Sequence, residues 1–125
     1  VEICIAIAEG NLNEIDVSFQ KKATVCKYAV PEGYPDNPVK GEPIDVSNID
    51  NSDALFFASV DYKNASLVES GSRTVAVIGV ANSIAEAETI AEKEISSIKG
   101  PLFHRSDIGK KSLIQKRIDH MMLLR

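Results

Sequence analysis

Residues 73–81, Arg-Thr-Val-Ala-Val-Ile-Gly-Val-Ala, constrain the fold of this chain more than any other stretch. Val75, Val77, Ile78 and Val80 are β-branched, and such side chains suit a pleated backbone. Apolar residues on both alternations predict a strand buried on both faces. Asn82-Ser83 follow at once, with Glu86 three residues after Ser83. That is a capping box, in which each side chain satisfies an orphan backbone N–H of the other residue. Ile84, Ala87, Ile90, Ala91, Ile95 and Ile98 then recur at helical spacing. Lys99-Gly100-Pro101 stops the helix.

The remaining elements are read around this strand–helix unit. Residues 1–10 carry Ile3, Ala6 and Ile7 at helical spacing and end in a Gly10-Asn11 stop, but no capping residue opens them. The helix is therefore expected to continue upstream, in a longer protein. Residues 22–31 predict a strand closed by Pro31. Prolines 31, 35, 38 and 43 exclude a helix through the segment that follows and predict turns. Residues 44–52 read as loop or a short edge strand. Residues 54–62 predict a second strand and 64–69 a third, with Ser70-Gly71-Ser72 as a hairpin turn. Residues 102–104 predict a short strand. Residues 112–124 predict an amphipathic helix bearing Leu113, Ile114, Ile118, Met121 and Met122. The order predicts an α+β fold with a small antiparallel sheet packed with helices.

Composition narrows the function classes. At 125 residues and 44% hydrophobic, the chain is long enough for one domain with a core and no disulfides. No apolar run approaches the roughly 20 residues of a membrane span. A net charge of −4 argues against a nucleic-acid module. The charge is uneven, +5 from Lys99 onward and −9 before it; for the basic end an amphipathic helix with a solvated basic face is preferred over an anion or nucleic-acid site. Cys4 and Cys26 read as two buried, reduced thiols. No Cys-x-x-Cys or His/Cys cluster supports zinc.

No Gly-rich phosphate loop or nucleophile elbow is present, so no catalytic centre is read within the chain. Three places are candidates for anion contact. Gly33-Tyr34-Pro35 precedes Lys40-Gly41, which puts a cation on a rigid loop. Gly71-Ser72-Arg73 puts a guanidinium beside a tight turn whose N–H groups are possible further donors; pairing of Arg73 with Glu69 is the competing reading. Arg105 and Asp107 lie two apart, placed either to pair with each other or to hold an anion.

These motifs, in this order, resemble the C-terminal domain of the phosphoribosylamine–glycine ligase (glycinamide ribonucleotide synthetase) family, of the ATP-grasp superfamily. Gly33-Tyr34-Pro35 and Lys40-Gly41 match its Gly-Tyr-Pro and Lys-Gly, and Gly71-Ser72-Arg73-Thr74-Val75 its Gly-Gly-Arg-Val. The helix start at 83–87 matches, as do Arg105, Asp107, Ile108 and Gly109 of an Arg-x-Asp-Ile-Gly motif. A Phe-His-Ala-Gly-Thr strand is the departure, reading Phe57-Ala58-Ser59-Val60 after Phe56. The resemblance covers roughly residues 1–112.

The resemblance implies a half-barrel sheet of the barrel-sandwich-hybrid kind. It implies that residues 1–20 are the terminal helix and linker of an ATP-grasp region, 21–109 the C-terminal synthetase domain and 110–125 a helical tail. The full-length protein is then a cytoplasmic carbon–nitrogen ligase of purine biosynthesis. It would join glycine to 5-phosphoribosylamine using ATP and Mg or Mn held outside these residues. The domain would pack on its own ATP-grasp domains, close the substrate site and be inactive alone. Arg73, with Gly71, Lys40, Arg105 and Asp107, is expected to bind substrate; no nucleic acid or membrane partner is expected. A non-catalytic binding or interaction domain of an ATP-grasp relative is the alternative.

Overall fold

The computed structural model of the chain describes residues 1–124. Helix α1 spans Glu2–Glu9 and ends in a left-handed Gly10, as its stop signal predicts. Strand β1 is Ala23–Pro31, β2 is Leu55–Phe57, β3 is Val60–Lys63, β4 is Ser66–Glu69 and β5 is Val75–Ala81. Helix α2 is Ile84–Ser97, β6 is Leu102–His104 and α3 is Lys111–Leu123. Four strands form one antiparallel sheet in the order β2-β5-β1-β6, and β3 and β4 form a separate hairpin. The fold is α+β, and the sheet does not close into a barrel.

Helix α2 covers one face of the four-stranded sheet. Its capping box is intact, with Ser83 Oγ accepting from Glu86 N–H and Glu86 accepting from Ser83 N–H. The contact surface is narrow. Ala87, Ala91 and Ile95 turn inward onto Val25, Ala29, Val75 and Val77, while Ile84 and Ile90 are exposed. The small residues let the helix approach until its backbone meets the sheet. A Cβ at Gly79 of β5 would overlap the Ala87 carbonyl oxygen and lie 2.9 Å from Ala91 N.

Among the described residues no helix covers the other face of the sheet. Phe56, Tyr28, Val80 and Phe103 are each exposed on it, and Cys26 opens between them. Burial on both faces therefore holds for Val75, Ala76 and Val77, but Val80 faces outward. Both cysteines are exposed, which corrects the expectation of two buried thiols. Cys4 lies on α1, where only Ala6 is buried. Cys26 points to the uncovered face, paired across from Ile78.

Two strand readings also need correcting. Residues 54–62 are not one strand: β2 pairs with β5 and β3 with β4, so the chain changes sheets at Ala58-Ser59. The hairpin turn lies at Asn64-Ala65, both with positive φ, rather than at Ser70-Gly71-Ser72. That second turn instead carries the chain from β4 in one sheet to β5 in the other. Residues 41–44 run along β4 as a third, irregular partner, with Gly41 N–H donating to Glu69 O and Ile44 N–H to Leu67 O. The predicted amphipathic helix is present as α3, and none of its residues is buried.

Candidate functional site

The uncovered sheet face holds a groove of about 370 Å³, lined among others by Tyr28, Tyr34, Arg73, Phe103 and Arg105. Its floor is the outward register of β1. Its cations come from two distant places in the sequence, the segment before β5 and the segment after β6. Antiparallel pairing of β1 with both β5 and β6 is what brings them to one surface.

Arg73 is exposed and lies over the Tyr28 ring, with Cζ 5.7 Å from the centroid. A guanidinium on an aromatic face is oriented without its N–H donors being consumed. Among the described residues no carboxylate pairs with Arg73, and the competing partner Glu69 faces elsewhere. Glu69 is fully buried and accepts from Glu42 N–H at 3.1 Å and Gly71 N–H at 3.2 Å. Its carboxylate clasps the loop before β5 instead of neutralising Arg73. Gly71 takes φ +88, and a Cβ there would overlap the Lys40 side chain. Lys40 and Gly71 are thus side by side, with the Gly71 N–H already engaged by Glu69. Lys40 is exposed and is not among the groove's lining residues.

Arg105 and Asp107 form a two-pronged pair, with Nε donating at 3.0 Å and Nη2 at 2.7 Å. Bidentate geometry fixes the plane of the guanidinium. The pair holds the Asp107 carboxyl below the usual carboxylate range, because Arg105 donates to it. Both side chains are half-exposed, so the pair sets orientation more than stability. The groove therefore brings together Arg73 and Arg105, with Asp107 orienting the latter. Partial burial pushes the Cys26 thiol up, which disfavours a thiolate nucleophile there. The chemistry on offer is recognition of a dianion beside an apolar, aromatic surface.

Sequence reasoning missed the charged cluster on the opposite face. The Lys27 side chain is 1% exposed. Its ammonium donates to Glu88 at 2.8 Å, to Glu92, and to the Ser106 carbonyl at 3.2 Å. His104 Nε2 lies 3.2 Å from Glu92. The available signal is the inward register of Lys27, between Val25 and Ala29 on a strand otherwise apolar on that side. Burial pushes the Lys27 pKa down, but the two glutamates outweigh it and hold the group charged. Burial pushes Glu92 up, and hydrogen bonds from Lys27 and His104 outweigh that and set it below its ordinary value.

A folded-state pKa below the unfolded one contributes stability above the unfolded value, which is lost as pH falls through the folded one. Acid unfolding is therefore expected to include a Glu92 contribution that fades below about pH 4.3. Thermal unfolding of the wild type should decline more steeply between pH 6 and 3 than that of Glu92→Gln. Parallel curves would remove Glu92 from the account.

Among the described residues no group of three or more His, Cys, Asp or Glu is placed to hold a metal ion. Among them also, no helix is long and apolar enough to cross a membrane.

Comparison with known proteins adds four findings. The family model described as "Phosphoribosylglycinamide synthetase, C domain" matches residues 24–111. A phosphoribosylamine–glycine ligase of Methanocaldococcus jannaschii is 58% identical over 128 residues, covering 100% of this chain and 29% of the relative. One from Methanosarcina barkeri is 50% identical over 125 residues, with the same coverages. The crystal structure of a phosphoribosylamine–glycine ligase from Thermotoga maritima superposes with a TM-score of 0.58 at 29% identity. That match covers 65% of this chain and 20% of that one. The chain spans about 29% of the length of these two curated relatives. The family model ends at residue 111, where α3 begins, whereas these two relatives match across the whole chain.

Proposed function

Because the chain belongs to the phosphoribosylglycinamide synthetase C-domain family, we propose that it closes the substrate site of a phosphoribosylamine–glycine ligase. In that reading the whole protein joins glycine to 5-phosphoribosylamine with cleavage of ATP. ATP and its Mg or Mn ion would be held by ATP-grasp domains outside these residues. The acidic groups described here do not fit a metal, so no step is assigned to one in this domain. The domain alone would be inactive.

The observation that carries the reading is the convergence of Arg73 and Arg105 on one aromatic groove of the uncovered sheet face. A phosphoribosyl group offers a dianion and a sugar. Two guanidiniums match the phosphate oxygens, and Tyr28 and Phe103 supply flat apolar surface for the ribose. Asp107 holds Arg105 in plane. Lys40, lying on Gly71, supplies further positive charge at the turn before Arg73. The exposed apolar surface around the groove suits packing on the protein's own ATP-grasp domains. Residues 1–20 would then belong to the connection with those domains, 21–109 would form the site-closing domain, and 110–125 a helical tail. Such an enzyme would work in the cytoplasm.

The test is made on the full-length protein with ATP, Mg²⁺, glycine and phosphoribosylamine. Release of ADP and phosphate should require both glycine and phosphoribosylamine. Arg73→Ala should raise the KM for phosphoribosylamine about tenfold, the scale of one charge-assisted hydrogen bond. The KM for ATP should hardly move. Absence of glycine-dependent turnover in a folded protein, or a rise confined to the KM for ATP, would reject the reading.

A further inference from the structure

We propose that Lys27, buried on the face of the sheet opposite the groove, is a positioning residue for Arg105. This rests on the reading of Arg105 as a substrate contact. The route is short. Beyond β6 the chain continues past the edge of β1 as a turn through residues 106–109, with Ser106 at Lys27 and Gly109 at Val25. Lys27 reaches this turn from below, donating to the carbonyl of Ser106, the residue between Arg105 and Asp107. The same ammonium is anchored on α2 by Glu88 and Glu92. The turn is seated by backbone contact as well, since a Cβ at Gly109 would lie 3.0 Å from both Glu88 Cγ and Val25 Cγ1.

The Arg105–Asp107 pair straddles the carbonyl that Lys27 holds. The pair by itself fixes the guanidinium relative to Asp107, not relative to the sheet. Lys27 supplies the second constraint, tying the middle of the turn to the helix behind the sheet. A buried ammonium is held firmly at such a point, because each of its three N–H donors has a partner in place and release would strand two carboxylates. An apolar residue at 27 would fill the same volume but would leave the turn untied.

The experiment uses full-length ligase with Arg105→Ala, Lys27→Met and the double variant. Arg105→Ala and Lys27→Met should each raise the KM for phosphoribosylamine about tenfold, with kcat and the KM for ATP nearly unchanged. The double variant should be no worse than Arg105→Ala alone, since Lys27 acts through Arg105. Lys27→Arg, which keeps a charged donor, should restore most of the loss. Hydrogen exchange should quicken in the peptide spanning residues 105–110 of Lys27→Met, while β5 stays protected. Should Lys27→Met fold poorly, a triple variant with Glu88→Gln and Glu92→Gln strands no charge and still lacks the tether. It should show the same KM and exchange changes.

Additive KM effects, or unchanged exchange at the turn, would overturn the proposal and leave the function reading standing. Faster exchange with no change in KM in any variant, Arg105→Ala included, would overturn both the role of Lys27 in the reaction and the assignment of Arg105 to the substrate.

Discussion

Gly79→Val is expected to prevent α2 from docking and to cost more than about 4 kcal/mol, at the far end of single-residue effects. Gly79 lies in β5 opposite Val25 and faces the helix. Its missing Cβ is the space that the Ala87 carbonyl and the Ala91 N–H occupy. Those are backbone atoms, so no rotamer change relieves the overlap. Either the helix lifts from the sheet or the strand bends away from β1, and both uncover Val25, Val77 and Ile95. Lifting the helix uncovers apolar surface worth about 25 cal/mol per Å². Urea unfolding followed by circular dichroism should show a collapsed midpoint or no folded baseline. Val80→Thr, one residue along on the uncovered face, should lie within about 0.5 kcal/mol of wild type. A wild-type midpoint for Gly79→Val would mean that α2 does not sit as close to β5 as described.

Lys27→Met should destabilise the domain by about 2–4 kcal/mol. Methionine fills the volume, so the loss is electrostatic. Glu88 and Glu92 would be left facing each other beside an apolar core without their cation. Their partial exposure lets water relieve some of this, which keeps the figure below that for a fully buried orphan charge. Adding Glu88→Gln and Glu92→Gln should recover most of the stability, because a neutral cluster no longer carries the desolvation cost. Thermal unfolding of the single and triple variants distinguishes the cases. If the triple variant is as unstable as the single one, the loss comes from packing rather than from stranded charge.

These two positions show what sequence patterns carry and what they omit. The Ser83/Glu86 box and the Gly10 stop are written in residues a few positions apart, and both are present in the structure. The three anion-contact motifs were legible as short strings, but their relation was not. Arg73 and Arg105 are 32 positions apart in the sequence and share a groove because β1 pairs with a strand on each side. Glu69 was a plausible partner for Arg73 by proximity alone. Its burial under residues 41–44 turned it into a clasp on the loop instead. The break at Ala58-Ser59 had no signal in composition, since both sides of it favour strand.

By itself the sequence determined the kinds of element, most of their boundaries and the family. The elements depend on periodicity, capping and turn chemistry, which act over one or two turns of chain; the family rests on the resemblance of short motifs in their order. Only the tertiary structure decided which face of the sheet α2 covers and which stays open. It also decided where the cations meet and why a lysine is buried among valines. Lys27 finds its carboxylates 61 and 65 residues away. A buried charge is tolerated only where folding delivers partners to it, and nothing local in the sequence records that delivery.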